Sequence, residues 1–364
     1  MDEARRKIQE MVDSGLLPAE QAASMLAHVV ERIGRGGMPA SVAQGPLLER
    51  RTSHITQILI ADGVTRIKVV NPLGRLRVSA PSSEGVQVEI AREAAAEPSA
   101  SFELLMKQFR VEDLREGGTL TIRVLAPETP ANIELAASAM VTVPHGLTVD
   151  GNAAGGVEIV GLRGDGSWSA EGEVRVADYQ GTLDLHDSDG DVSVEHSGGA
   201  LDLHVENGSV TVSHVRGSLQ ISCTNGDVHL YEVDGAASIS VPQGDLKVHA
   251  FRGTLEAHVG TGNAMLLEVF ATRLRLSVAS GSAWISAVGD DLEAQTREGD
   301  LTVLVPGDAS AQVYLEGPSL QCDFPLVDAT RAEQIVSGRL GDGAGRIRLM
   351  TREGRLRLGP GDAL

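Results

Sequence analysis

The chain has 364 residues, 42 of them glycine, with aromatic residues at only 3% and a formal net charge of −19. So acidic a chain is repelled by phosphate backbones and by anionic bilayer surfaces, which sets aside nucleic acid and direct membrane insertion. Its two cysteines, Cys223 and Cys322, are far apart and outside any CxxC or Cys/His spacing, so neither a disulfide framework nor a structural zinc site is indicated, and no cofactor is expected.

The opening "MDEARRKIQEMVDSG" is charged where a signal peptide would be apolar, and no apolar run reaches the length of a bilayer span. The expected location is the cytoplasm, with association to the cell envelope as the alternative. Residues 1–33 read as a helical hairpin: Ile8, Met11 and Val12 share one helical face, Met25, Leu26, Val29, Val30 and Ile33 another, and Gly15 and Pro18 punctuate the break. Residues 34–52 are rich in Gly and Pro without a sustained period and read as a flexible linker. Residues 53–150 hold the first strands, since "TRIKVVN", "GRLRVSA", "GVQVEIA" and "TLTIRVLA" place apolar residues two apart. Between the last two, "AEPSASFELLMKQFRVEDLREGG" has room for a short helix.

Residues 151–305 carry a repeat. Gly172, Gly190, Gly208, Gly226, Gly244, Gly262, Gly281 and Gly299 recur every 18 residues, with one step of 19. A second series, Gly164, Gly181, Gly199, Gly217, Gly235 and Gly253, falls midway; its next slot passes to Thr272, which places the extra residue around "EVFAT". Each half repeat supplies a short strand and a turn, and glycine suits the turn because it tolerates positive φ. Leu183 and Leu185, Leu201 and Leu203, Leu219 and Ile221, and Leu255 and Ala257 keep one phase, while Val192 and Val194, Val210 and Val212, and Leu246 and Val248 keep another. A chain returning to the same face every 18 residues stacks parallel strands about 4.8 Å apart, so eight turns would extend roughly 40 Å. The predicted fold is mainly β: a parallel β-solenoid (β-helix) of about 18-residue turns after a small α-helical hairpin, with residues 306–364 as C-terminal turns and cap. Its aromatic-poor core is expected in thin aliphatic layers, with Leu203 and Ile221 on adjacent layers of one wall.

The strands "NGDV" and "GDL", the lead-in "VTVPHGLTVDGNAAGGVEIVGLRG" and the closing "GDGAGRIRLMTREGRLRLG" resemble the bacterial putative-adhesin β-strand-repeat family, a domain of unknown function, over residues 55–360. The N-terminal "RRKIQEMVDSGLLPAEQAASMLAHV" is similar to the SHOCT-like helical module that precedes such solenoids in proteins linked to bacterial cell-envelope stress responses, with Leu17 where that module more often has a Thr or Ser cap. The family is defined by fold, so the resemblance implies no catalytic residues.

Several side chains are candidates for a surface role. Asp184 and His186, with Asp202 and His204 one repeat on, fall on an outward face where two imidazoles can stack; the reading is a solvated polar face, with a shared metal ion as the alternative. His196 and His214 form a second such pair. The turn acids Asp191, Asp227, Asp245 and Asp300 lack the GGxGxD copies that calcium-binding rolls require. Residues 164–305 hold 22 acids against seven Lys and Arg, a charge that opposes strand-to-strand association. Arg346, Arg348, Arg355 and Arg357 alternate with Ile347, Leu349, Leu356 and Leu358, as an ordinary outer face does. Tyr231, Leu267 and Leu304 are expected on one outward row and Met265 and Trp284 on the next, an apolar patch to be covered by another part of the chain, by a protein partner or by a second copy. No G-x-S-x-G, HExxH or phosphate-binding loop is present, and the short turns leave little to build a catalytic groove. The functional expectation is a non-enzymatic interaction or scaffold protein with a tethered helical docking module, in envelope stress or adhesion; the alternatives are a self-assembling structural solenoid and a carbohydrate-active β-helix enzyme.

Overall fold

The computed structural model describes residues 49–80, 85–96, 102–127 and 133–361. The chain divides into a unit of residues 1–49 and a unit of residues 50–364. The hairpin read at residues 1–33 lies outside the described residues, as does most of the segment read as linker. The first described strand, Glu49–Leu59, begins inside that segment, where alternate positions from Ser53 onward are half-buried.

The protein is mainly β, and the described residues form a large, mostly parallel mixed sheet of 26 strands with one short helix, Phe102–Gln108. No described helix is long and apolar enough to cross a membrane. Through most of the repeat region each segment pairs in parallel with the segment 18 residues later: Leu201 with Leu219, Leu203 with Ile221, Val210 with Val228, Val228 with Leu246; the offset is 17 for Trp168 with Leu185 and 19 for Leu255 with Leu274. From Val210 the strands run 16 or 17 residues, nearly a full repeat each, as in Val210–Asn225, Val228–Gln243 and Leu246–Thr261. The extra residue is Thr272: Gly253 pairs with Ala271 and Thr254 with Arg273, so Thr272 bulges out of register. Its hydroxyl donates to the Gly253 carbonyl at 3.2 Å.

Six successive repeats bend at a non-glycine residue held at positive φ, followed three positions later by a glycine in all but the last, where Ala271 takes that place. Asp178, His196, His214, Glu232, Ala250 and Glu268, all 18 apart, have φ between 48° and 56°. Such a conformation costs about 1–3 kcal/mol for a residue with a side chain and persists where its surroundings over-determine it. Here the ladder continues on both sides of the bend: Ser213 pairs with Tyr231 and Val215 with Val233.

The main core runs from Val64 to Leu358 and takes in both sequence-predicted sets of aliphatic residues. It also contains a third column at the bend: Tyr179, Ser197, Val215, Val233, Phe251, Val269 and Ala287 are all buried. Its signal in the sequence is the apolar residue two before the second glycine, as in "HVRG", "EVDG" and "AFRG". The expectation of a core without large rings is corrected, because Trp168, Tyr179, Phe109 and Phe251 are among the largest fully buried side chains. Their neighbours make room: a Cβ on Gly151 would overlap the Trp168 ring, and the Tyr179 hydroxyl donates to carbonyl oxygens at 2.8 and 2.9 Å.

At both ends, order in the stack departs from order in the chain. Arg66–Asn71 lies between Thr119–Leu125 and Thr148–Ala153, parallel to both. Gly345–Glu353 lies between the second half of Ala283–Glu298 and Ala311–Glu316. Antiparallel strands then close the stack: Arg110–Glu116 against Thr119–Leu125, and Val327–Arg331 at the far end, where every residue is exposed.

The turn acids are structural. Asp191 accepts the backbone N–H of Ser209 at 2.8 Å, Asp227 that of Asp245 at 2.8 Å, Asp245 that of Asn263 at 2.7 Å, and Asp300 that of Arg355 at 2.8 Å. Each carboxylate thus caps the next layer. Asp245→Ala is expected to cost about 1 kcal/mol, read as a lower urea midpoint, because it removes one charge-assisted hydrogen bond.

Candidate functional site

The outward side chains fall into three groups positioned by the same register. The first is the apolar patch. Tyr231 pairs with His249 and His249 with Leu267, while Lys247 pairs with Met265 and Met265 with Trp284, so the two rows read from the sequence lie side by side on neighbouring strands. Leu304 pairs with Ser286 on the row of Tyr231 and Leu267. Tyr231, Met265 and Trp284 are 40%, 45% and 43% exposed, whereas Leu267 and Leu304 are half-buried. Sequence reasoning missed Phe270, 37% exposed beneath the Arg252 guanidinium at 5.6 Å from the ring centroid. Its two-residue offset from Glu268 at the bend was the available signal.

The second group lines a 790 Å³ groove along the bend, which includes His196, His214, Arg216, Glu232, Asp234 and Glu268. His196 and His214 stack with centroids 4.8 Å apart. His214 lies 3.3 Å from Glu232, Arg216 3.7 Å from Asp234 and His249 3.7 Å from Glu268, so these acids face bases across the layers. The groove is open, and its acids Glu232, Asp234 and Glu268 each lie against a basic side chain of the neighbouring strand.

The third group is the Asp/His grid. Asp184 pairs with Asp202 and His186 with His204 in the parallel ladder. The imidazole centroids are 4.8 Å apart with an interplanar angle of 18°. His186 Nε2 is 3.2 Å from Asp184 Oδ1, and His204 Nδ1 is 3.2 Å from Asp202 Oδ1. Among the described residues, Asp184, His186 and His204 form the one group of three such side chains with ligand atoms within 4.8 Å of one another.

The remaining candidates resolve into structure. Arg346 forms a bidentate pair with Asp291 at 2.9 and 3.0 Å, Arg357 pairs with Asp323 at 2.9 Å, and Arg348 lies over the Tyr314 ring. Cys223 is buried and its thiol is pushed up to about 11, by burial first and then by the field of Asp227; Cys322 is half-buried, and both are free thiols.

No protein-family model and no curated protein matches the chain. Among solved structures, a putative adhesin from Parabacteroides merdae is 16% identical over 72% of this chain and 97% of that one, with a TM-score of 0.38. A putative adhesin from Parabacteroides distasonis is 17% identical over 70% of this chain and 97% of its own, with a TM-score of 0.36. A putative lipid binding protein from the same organism is 11% identical over 86% of this chain and 97% of its own, at 0.30. Likeness this remote carries over neither a residue role nor an activity.

Proposed function

We propose that this chain is a non-enzymatic binding protein whose 18-residue turns coil into a parallel β-solenoid and whose outward apolar rows receive a protein partner. The solenoid reading rests on a pairing offset that stays at 18, give or take one residue, and on three buried columns that repeat with it. The observation that carries the function is the cluster of Tyr231, Met265 and Trp284, each 40% exposed or more on adjacent rows. Aromatic and Met side chains are enriched at protein–protein interfaces, and Trp and Tyr at their hot spots. The acids of the open groove at the bend lie against basic side chains of neighbouring strands, so the carbohydrate-active alternative gains no support there. The resemblance to adhesin repeats is the ground for placing the partner at the bacterial envelope, in adhesion or stress signalling, with the N-terminal segment as a second docking element.

The double substitution Met265→Ser/Trp284→Ser is expected to abolish recovery of a partner that the wild-type chain captures from extract of the source cells, with the circular dichroism spectrum unchanged. Identical captured sets from both proteins would overturn the reading. Sedimentation velocity separates the self-assembly alternative: wild-type chain that associates, with a variant that stays monomeric, makes the partner a second copy. The charged antiparallel strands closing each end oppose association through the ends.

A further inference from the structure

The Asp/His grid has a chemistry that protein docking does not use. Two imidazoles and one carboxylate, from Asp184 and His186 on one strand and His204 on the next, offer a nitrogen–nitrogen–oxygen donor set with ligand atoms within 4.8 Å. Ion–ligand bonds of about 2.0–2.2 Å need donors drawn somewhat closer, which rotation of half-exposed side chains supplies while the paired strands keep the backbone in place. Asp202 adds the feature that separates a site from a chance cluster. Its Oδ1 lies 3.2 Å from His204 Nδ1, and both atoms are shielded from solvent without a hydrogen-bond partner, so that a small rotation of the ring lets the carboxylate accept from Nδ1–H. A carboxylate that accepts from Nδ1–H leaves Nε2 unprotonated, the form that binds a metal, and orients the ring.

We infer that Asp184, His186 and His204 bind one divalent transition-metal ion of the zinc class, with Asp202 as a positioning residue. Imidazole with a single carboxylate suits Zn²⁺, Ni²⁺ or Cu²⁺ and is a poor match for Ca²⁺ or Mg²⁺, which take oxygen ligands. Three protein donors leave a tetrahedral position open, so a bound ion could take a further ligand from outside the chain. The stacked pair His196 and His214 is an internal control: it repeats the imidazole geometry but faces Glu232 instead of a flanking carboxylate on each strand.

The test is calorimetric titration of the untagged full chain with Zn²⁺. One saturable site per chain is expected. His186→Ala and His204→Ala should each weaken it by at least about tenfold, and Asp202→Ala by about tenfold with the site retained, the range seen for outer-shell partners. His196→Ala/His214→Ala should leave it unchanged, and circular dichroism should show all variants folded. Co²⁺ should give visible absorption bands in the wild-type chain that vanish in His186→Ala/His204→Ala. No saturable heat with Zn²⁺, binding that survives His186→Ala/His204→Ala, or loss equal to theirs in His196→Ala/His214→Ala would each overturn the assignment.

Discussion

Gly235→Ala is expected to destabilise the protein by about 4 kcal/mol, seen as a marked fall in urea midpoint. Gly235 has φ of 143°, a region that side-chain-bearing residues enter at a cost of about 2 kcal/mol. Space is the second obstacle. A Cβ built there overlaps the carbonyl oxygen of Gly217 one layer away, and one on Gly253 would overlap Gly235 in the same manner. Relief requires parting strands that pair at Gly217 and Gly235, an overpacking cost of about 2 kcal/mol more. Gly146 supplies the comparison: it also has positive φ, 83°, but nothing lies within 4 Å of its added Cβ. Gly146→Ala should therefore lose only the conformational part. Losses equal within about 0.5 kcal/mol would show that φ alone selects glycine here.

Asp187→Asn is expected to stabilise the protein by about 2 kcal/mol above about pH 7 and to destabilise it by about 1 kcal/mol below about pH 4. Asp187 occupies a core column, pairing with Val205, which pairs with Cys223, and is 2% exposed. Its Oδ1 accepts the Gly172 N–H at 3.3 Å, while Oδ2 has no hydrogen-bond partner. Burial, reinforced by the charges of Asp189 and Asp191 and opposed by hydrogen bonds from the Gly172 and Asp189 backbones, pushes the carboxyl up to about 6. Between the unfolded value near 4 and this folded value the native state holds more protons than the unfolded one. Stability therefore falls as pH rises through that window and stays lower above it. A shift of about two units corresponds to about 3 kcal/mol; the unpartnered amide that Asn would bury reduces the gain to about 2. Urea titrations of both proteins at the two pH values measure it. An equal difference at both would mean that charge is not the cause.

The metal proposal and the docking proposal fail independently, because the Asp/His grid and the Tyr231, Met265 and Trp284 rows share no residue. Zn²⁺ binding lost in His204→Ala with partner capture intact would establish two separate surfaces.

How far the sequence reaches is set by the range of the contacts. Leu203 and Ile221 could be read as neighbours because each repeat touches mainly the ones beside it, so the offset of 18 is written directly into the order of residues. The same offset placed His186 beside His204, and with the one extra residue it placed Met265 beside Trp284. It could not say that the column through Val215, Val233 and Phe251 turns inward, since the positive φ at His214, Glu232 and Ala250 reverses the simple alternation of faces. Nor could it separate the turn acids that cap the next layer from acids free to bind an ion.

By itself, then, the sequence determined the period, the strand content and the identity of the aliphatic walls, all consequences of local alternation and nearest-neighbour stacking. Only the tertiary structure decided the ends. Gly345–Glu353 slips in ahead of Ala311–Glu316, and Arg66–Asn71 lies between later strands, because these contacts join residues with no common period. Which open edge a strand covers depends on the whole folded stack and leaves no repeat in the chain. The approach of Asp202 to His204 was settled there too, because rotamers on an outward face follow the side chains around them.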